Sequence, residues 1–391
     1  MISVLASSIM NHLDQCKEEM SHLLEKLSRL ESPSTVKESQ PPVLKLISIA
    51  LWETGYEARH YPGKNTGGFL LASPVARRKG RPLQLLLGHG DTVWPLNTVQ
   101  EMPVGVKDGK MYGPGVYDMK AGIVQIIYAL KTIRELRLNY TVTPVVLINT
   151  DEEIGSHESR AAIRRLAAIA DRAFVLEPSL GPAGRLKTTR KGIGRFNIIV
   201  KGKAAHAGLE PGKGASAIVA LSEVIQQLFK LNNPERGISV NVGMIEGGIS
   251  PNVVAPESKA VVDVRVPTQK EATEITEKIQ NLKSADPDIT IEVSGKIGRP
   301  PMEATPRNLR LWDQAKKAAS ALNIPISQAQ AGGGSDGNIT SLYTATLDGL
   351  GAVGSGAHAI HENVALDKMP ERTALLTLLL LSEPVTSRNR N

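Results

Sequence analysis

Four groups of histidine and carboxylate residues stand out in the first half of the chain: His89-Gly90-Asp91, Asp118, Glu152-Glu153 and Glu177. Such side chains hold divalent cations. A bound zinc ion lowers the pKa of its water from about 16 to about 7, which makes a nucleophile able to attack an amide carbonyl at neutral pH. Each group also has a plainer account. His89 and Asp91, two residues apart, are either a loop histidine paired with an aspartate, or a ligand and the acid that orients its ring. Asp118 precedes an amphipathic stretch, where an aspartate often serves as a helix N-cap. Neighbouring carboxylates such as Glu152 and Glu153 repel unless a cation lies between them or one is protonated. One of the pair can then bind metal while the other accepts the water's proton; a solvated acidic loop is the alternative.

The elements that carry these residues favour the metal reading. Leu83 to Leu87 is a short apolar run ending in Gly88-His89-Gly90-Asp91, and Pro144 to Asn149 is rich in Val and Ile before Thr150-Asp151-Glu152-Glu153. Ala173-Phe174-Val175-Leu176 stops at Glu177-Pro178. Three strands thus each deliver acids or histidine at the carboxyl end, and in an open α/β sheet those ends share one rim. Apolar positions at helical spacing occupy 9–30, the stretch after Pro41-Pro42, 119–137 and 158–170. The fold class that follows is α/β, a mixed, mostly parallel sheet with helices on both faces. After Gly184 the pattern changes to strand 194–201, helix 214–230, strands 238–245 and 258–266, helix 268–284 and strand 289–294. This β-α-β-β-α-β order predicts an inserted ferredoxin-like α+β domain over 188–302, with 1–187 and 303–391 forming the catalytic metal-binding domain.

A chain of 391 residues with 41% hydrophobic composition exceeds what one core usually supports, in keeping with two domains. The net charge of +7 speaks to steering and not to fold. Its densest basic run, Arg77, Arg78, Lys79 and Arg81, lies between prolines without interleaved aromatics, so it predicts a solvated turn and no nucleic-acid surface. The single cysteine, Cys16, excludes an intrachain disulfide and a cysteine-rich metal site, and favours a reducing compartment. The N-terminal apolar run lacks a basic leader and turns polar too soon for a signal peptide or membrane span. A cytoplasmic protein without a membrane anchor is expected.

Ordered along the chain, Gly88-His89-Gly90-Asp91-Thr92-Val93, Gly115-Val116-Tyr117-Asp118-Met119-Lys120-Ala121-Gly122, Asp151-Glu152-Glu153-Ile154-Gly155-Ser156 and Gly356-Ala357-His358 resemble one family. It is the di-zinc metallopeptidase family of aminoacylase, succinyl-diaminopimelate desuccinylase and the bacterial glutamate carboxypeptidase that hydrolyses folates. The resemblance runs from about residue 40 to 380. It is strongest to the glutamate carboxypeptidase branch, through Lys201-Gly202-Lys203-Ala204-Ala205-His206-Ala207-Gly208 and Gly332-Gly333-Gly334-Ser335-Asp336. It implies two Zn2+ per subunit, with Co2+ or Mn2+ as substitutes. Asp118 then bridges the metals, His89 and Glu177 complete one site, and Glu153 and His358 the other. Glu152 is the implied general base, Asp91 the acid behind His89, and Asp118-Met119 a cis peptide bond. His361 competes for the last ligand position, but the family's histidine stands four residues before an acid, here Glu362, which selects His358.

The inserted domain resembles the family's lid, which also mediates homodimerisation, and His206 is implied to reach the partner subunit's active site and stabilise the oxyanion. Asn252 and Arg265 match lid positions that hold the substrate's carboxylate, a task suited to arginine's planar fork. Gly333 and Gly334 can bring backbone N–H groups to the same carboxylate. The implied activity is hydrolysis of a peptide-like or N-acyl amino acid, releasing a C-terminal residue such as glutamate. A deacylase of another N-acylated metabolite shares the mechanism, and a non-catalytic binder of amino-acid conjugates is the reading from another class.

Overall fold

The computed structural model describes residues 2–76 and 80–385. The turn expected at Arg77, Arg78 and Lys79 lies outside them, while Arg81 donates to the Tyr140 carbonyl at 2.7 Å. The chain divides into two compact units. One takes the chain up to Thr188, Ala304–Gln330 and the chain from Ser335 onward; the other takes Thr189–Glu303 and Ala331–Gly334.

The first unit opens with helices α1 (Ile2–Gln15), α2 (Lys17–Arg29) and α3 (Pro41–Glu53). Strands β1 (Tyr56–Tyr61), β2 (Phe69–Pro74) and β3 (Leu83–His89) follow, then helix α4 (Ala121–Glu135), β4 (Thr143–Asn149), helix α5 (Arg160–Ile169) and β5 (Ala170–Val175). The sheet order is β1-β2-β4-β3-β5, closed by the short strand Ala345–Leu347. The three pairings β4-β3, β3-β5 and β5 with Ala345–Leu347 are parallel, and β1-β2 and β2-β4 antiparallel. The mixed, mostly parallel sheet read from the sequence is the one observed. Alternate residues of its central strands serve two cores. Leu86, Val146, Ile148 and Phe174 join α1, α3, α4 and the last helix, Lys368–Leu381, on one face. Leu85, Leu87, Leu147, Ala173 and Val175 join Ile163 of α5 on the other. Burial on both faces is why these strands read as unbroken apolar runs.

The single helix expected over 9–30 is two helices meeting at Cys16. The apolar phase Ala6, Ile9, Leu13, Cys16, Met20, Leu24, Leu27 runs through the junction unbroken, so periodicity cannot reveal it. Helix α4 is buried on nearly every side, and Gly122 in its first turn is fixed by contact: a Cβ there would lie 2.1 Å from the Leu176 carbonyl oxygen. A second small sheet, formed by Gly105–Lys107, Lys110–Tyr112, Gly354–Ser355 and Asn363–Ala365, flanks the loop that carries His358. Its strands are too short for an alternation pattern to register.

The second unit runs β6 (Gly192–Lys201), α6 (Ala217–Phe229), β7 (Ser239–Gly247), β8 (Glu257–Val266), α7 (Gln269–Gln280) and β9 (Thr290–Arg299). The sheet order β7-β8-β6-β9 is antiparallel throughout. Phe196, Ile198, Val200, Val262 and Val264 pack under Leu221, Val224, Ile275 and Ile279 of the two helices. Both helices start at hydroxyl caps: Ser216 Oγ accepts from Val219 N, and Thr268 Oγ1 from Glu271 N, while the Thr268 hydroxyl donates to the Glu271 carboxylate. Among the described residues no helix is long and apolar enough to cross a membrane.

Candidate active site

The parallel register levels the carboxyl ends of the central strands. His89 lies opposite Asn149, and Leu87 opposite Val175, two residues short of His89 and Glu177. Side chains that follow each strand therefore meet above the same edge of the first unit.

His89 ends β3 and is buried. Asp91 holds its Nδ1 from behind, with the backbone oxygen at 3.0 Å and Oδ1 at 3.4 Å. Nε2 is thereby turned toward Asp118 Oδ1 at 3.3 Å and Glu177 Oε1 at 3.5 Å. The Asp91 carboxylate also accepts the N–H of Glu152 (3.3 Å) and Glu153 (3.2 Å) and the Ser34 hydroxyl (2.7 Å). It fixes both the ring of one histidine and the backbone of the glutamate pair. Asp118 Oδ2 faces His358 Nε2 at 3.5 Å, and that nitrogen lies 3.2 Å from Glu153 Oε2. Asp118 is thus shared between two histidines. It does not cap α4: its backbone is extended (φ −115°, ψ 95°), the bond to Met119 is cis, and the helix begins only at Ala121. His358, not His361, makes these contacts. Glu152 is buried and offers an oxygen within 4.8 Å of His89 and Glu177, while His89, Asp118 and Glu153 form a second such group.

This donor set fits divalent metal. Imidazole nitrogens and carboxylate oxygens are ordinary zinc ligands. Moreover, His89 Nε2 and Asp118 Oδ1 are buried without any hydrogen-bond partner although they face each other, an arrangement that a cation resolves. The electrostatics agree. Burial opposes charge on His89, yet Asp118, Asp91 and Glu177 outweigh it and hold the ring's pKa well above its usual value. Hydrogen bonds to Asp118 and Glu153 push His358 up to about 10. Asp118 is itself held far below the carboxylate range: its burial is overcome by the two histidines. Burial pushes Glu153 up. So many carboxylates in one place call for positive charge, as protons on the imidazoles or as metal ions.

Three residues of the quoted motifs, to which the sequence assigned no role, lie around this cluster. Asp151 accepts from Glu158 N, Ser159 N and Ser159 Oγ, holding the turn just ahead of α5. Asp336 accepts from Asn149 Nδ2 at 2.8 Å and from the Ser156 hydroxyl, tying the end of β4 to the loop after Glu153. Lys120 is buried, donates to the Leu30 carbonyl at 2.8 Å, and is pushed down to about 8 by that burial.

The remaining sequence-selected residues lie on the second unit. His206 is exposed, and its Nδ1 accepts the N–H of Gly208 (3.1 Å) and Leu209 (3.2 Å). The neutral ring therefore carries its proton on Nε2 and offers an N–H donor. The Asn252 carbonyl accepts Ala207 N at 2.9 Å, and its side-chain oxygen accepts the Ser250 hydroxyl at 2.5 Å. Arg265 places Nε and Nη2 on Asp263 at 2.7 and 3.1 Å, so its fork already engages a carboxylate. The carbonyls of Gly333 and Gly334 accept Arg190 Nη1 at 3.1 and 3.2 Å, an arginine that sequence reading passed over.

Such a cluster at the ends of parallel strands is a candidate metal centre, and the class it fits is a metallohydrolase. A model of peptidase family M20/M25/M40 matches residues 85–382, more than half of the chain, and the chain belongs to that family. Its relatives include carboxypeptidase G2 of Pseudomonas sp. (strain RS-16), 28% identical over 370 residues that cover 92% of this chain and 88% of the relative. The fold matches aminopeptidase PepT from Bacillus cereus ATCC 10987 with a TM-score of 0.79 at 22% identity, covering 93% of this chain and 98% of the other. It also matches YXEP from Bacillus subtilis, a dinuclear metal-binding peptidase of family M20, with a TM-score of 0.68 at 16% identity, covering 96% and 98%. The chain is therefore a metal-dependent hydrolase of amide bonds.

Proposed function

We propose that this protein cleaves the amide bond of a peptide-like or N-acyl amino acid that carries a free carboxylate, releasing a C-terminal residue such as glutamate. The observation that carries the proposal is the sharing of Asp118 between His89 and His358, with Glu177 beside one histidine and Glu153 beside the other. These five residues would hold two Zn2+, or Co2+ or Mn2+ in their place. Two such ions supply a water activated near neutral pH and a polarised carbonyl. Glu152 takes the proton from that water and returns it to the leaving nitrogen, so that the free amine departs. Asp91 keeps His89 in the tautomer that presents Nε2. The Nε2–H of His206 is a donor suited to the oxyanion that develops on the carbonyl. Asn252, Arg265 and the glycines at 333 and 334 serve the substrate's carboxylate, with Arg265 either exchanging Asp263 or using its remaining Nη1. The likeness to carboxypeptidase G2 supports a C-terminal residue over other leaving amines. A deacylase of another N-acylated metabolite uses the same steps. A non-catalytic binder has no use for Glu152 beside the ligands. A cytoplasmic location accords with the single, buried Cys16.

Release of free amino acid from a panel of N-acyl amino acids and C-terminal dipeptides is the test, run on zinc-loaded and chelator-stripped protein side by side. Metal-dependent release, greatest for glutamate, is the expected result. Zinc-loaded protein inert toward the whole panel would overturn the reading.

A homodimer through the second unit belongs to the same proposal. Strand β7 is an edge strand, pairing only with β8 among the described strands, and it exposes Met244 (62%) and Ile245 (63%). Helix α6 adds exposed Phe229 (71%), with Ile218 and Val219. A long apolar edge of this kind is ordinarily covered. Sedimentation is expected to give twice the chain mass for the wild type, and the chain mass for Met244→Asp/Ile245→Asp together with a loss of turnover. A fully active wild-type monomer would refute it.

A further inference from the structure

Glu362 is fully buried, and no part of the chemistry above uses it. It stands at the end of the loop between Gly354–Ser355 and Asn363–Ala365, the loop that carries His358. Its carboxylate accepts four N–H bonds, two on each oxygen. Oε1 takes the backbone N–H of Tyr117 (2.9 Å) and Asp118 (3.0 Å); Oε2 takes that of Gly115 (3.0 Å) and the Trp94 indole (2.9 Å). Trp94 closes the segment that begins with His89 and Asp91. One side chain therefore clamps together the three segments that bear His89, Asp118 and His358, and the N–H of Asp118 is itself one of the four donors.

The backbone at 115 is shaped for this clamp. Gly115 has φ +70°, and a Cβ there would lie 2.6 Å from Thr92 Cγ2, so a side chain fits neither the conformation nor the space. The four N–H groups leave no position for a donor on the acid. A glutamine satisfies two of them through its oxygen and sets its own NH2 against the other two. A carboxylate, with acceptor capacity on both oxygens and no donor, is the group that matches the set.

 All four distances are 2.9 to 3.0 Å, at or just beyond the long end of the about 2.7–2.9 Å of charge-assisted N–H bonds.

We propose that Glu362 is the positioning residue of the metal centre, fixing the Asp118 backbone relative to both histidines so that the two ions are held as one unit. The proposal rests on the two-metal reading above but is tested by metal binding, not by turnover. In Glu362→Gln, calorimetric titration of the metal-free protein with Zn2+ is expected to show affinity weakened about 10–100-fold at both sites, the range for residues that orient ligands. The visible absorption of the Co2+ form is expected to shift. Glu362→Asp keeps the charge one methylene short and is expected to recover part of the affinity. Unchanged Zn2+ affinity and an unchanged Co2+ spectrum would overturn the proposal, even with a lowered melting temperature. Should Glu362→Gln fail to fold, Trp94→Phe removes one of the four bonds, and its Co2+ spectrum decides in the same way. A wild type that binds two ions yet hydrolyses nothing defeats the proposed function and leaves this inference standing; a wild type that binds fewer than two defeats both.

Discussion

Glu152→Gln is expected to lower kcat by about 10²–10⁴-fold, the usual contribution of a positioned general base, while the protein keeps its metal. That loss corresponds to about 3–5 kcal/mol of transition-state stabilisation. The substitution preserves shape and one acceptor oxygen but cannot take a proton. Position alone leaves Glu152 two possible roles, because its oxygen lies within 4.8 Å of His89 and Glu177, as a ligand's would. Metal content separates them. A base leaves two ions bound and kcat lowered to that extent, with KM little changed. A ligand loses metal together with activity, and retained turnover in a metal-loaded variant would remove Glu152 from the mechanism altogether. The carbonyl of Glu152 accepts Gly155 N at 2.8 Å and its own N–H is held by Asp91, so the backbone is anchored independently of the side chain. The variant is therefore expected to fold.

The sheet and the residue types gathered at the candidate site were legible because both have local causes. Strands β3, β4 and β5 are buried on both faces, so each reads as an unbroken apolar run, and each ends where polar residues begin. The β-α-β-β-α-β order of the second unit was legible from alternation on a half-buried sheet, as in Phe196, Ile198 and Val200 of β6. What escaped has non-local causes. The break at Cys16 preserves the apolar phase. By itself Asp118 reads as an N-cap, because the sequence shows the helix after it and not the histidines across from it, and its bridging role entered only through the resemblance. Ser34 reaches Asp91 from 57 residues away, and Glu362 meets Asp118 from 244. No spacing rule encodes such pairs. His358 entered only through the resemblance, since neither periodicity nor spacing ties it to the strand ends.

Asp118→Asn is expected to abolish turnover and to weaken metal binding more than the about 10–100-fold typical of an outer partner, because both ions lose the same ligand. Asp118 presents Oδ1 to His89 and Oδ2 to His358, whereas an asparagine has one acceptor oxygen and can face only one of them as a ligand. His358→Ala, by contrast, removes a group from one side and is expected to leave the His89 side able to bind. The metal-free protein offers a second readout. Hydrogen bonding to Asp118 is the largest cause that raises His358 to about 10, so the variant's ring is expected to titrate closer to its ordinary 6.5 by NMR. With its folded pKa raised, the His358 pairing stabilises the metal-free fold fully below about pH 6.5, and that stabilisation is lost as pH rises through about 10. Asp118→Asn removes much of that dependence. Two ions bound with wild-type affinity, or a His358 ring that still titrates near 10, would show that Asp118 is not the shared ligand.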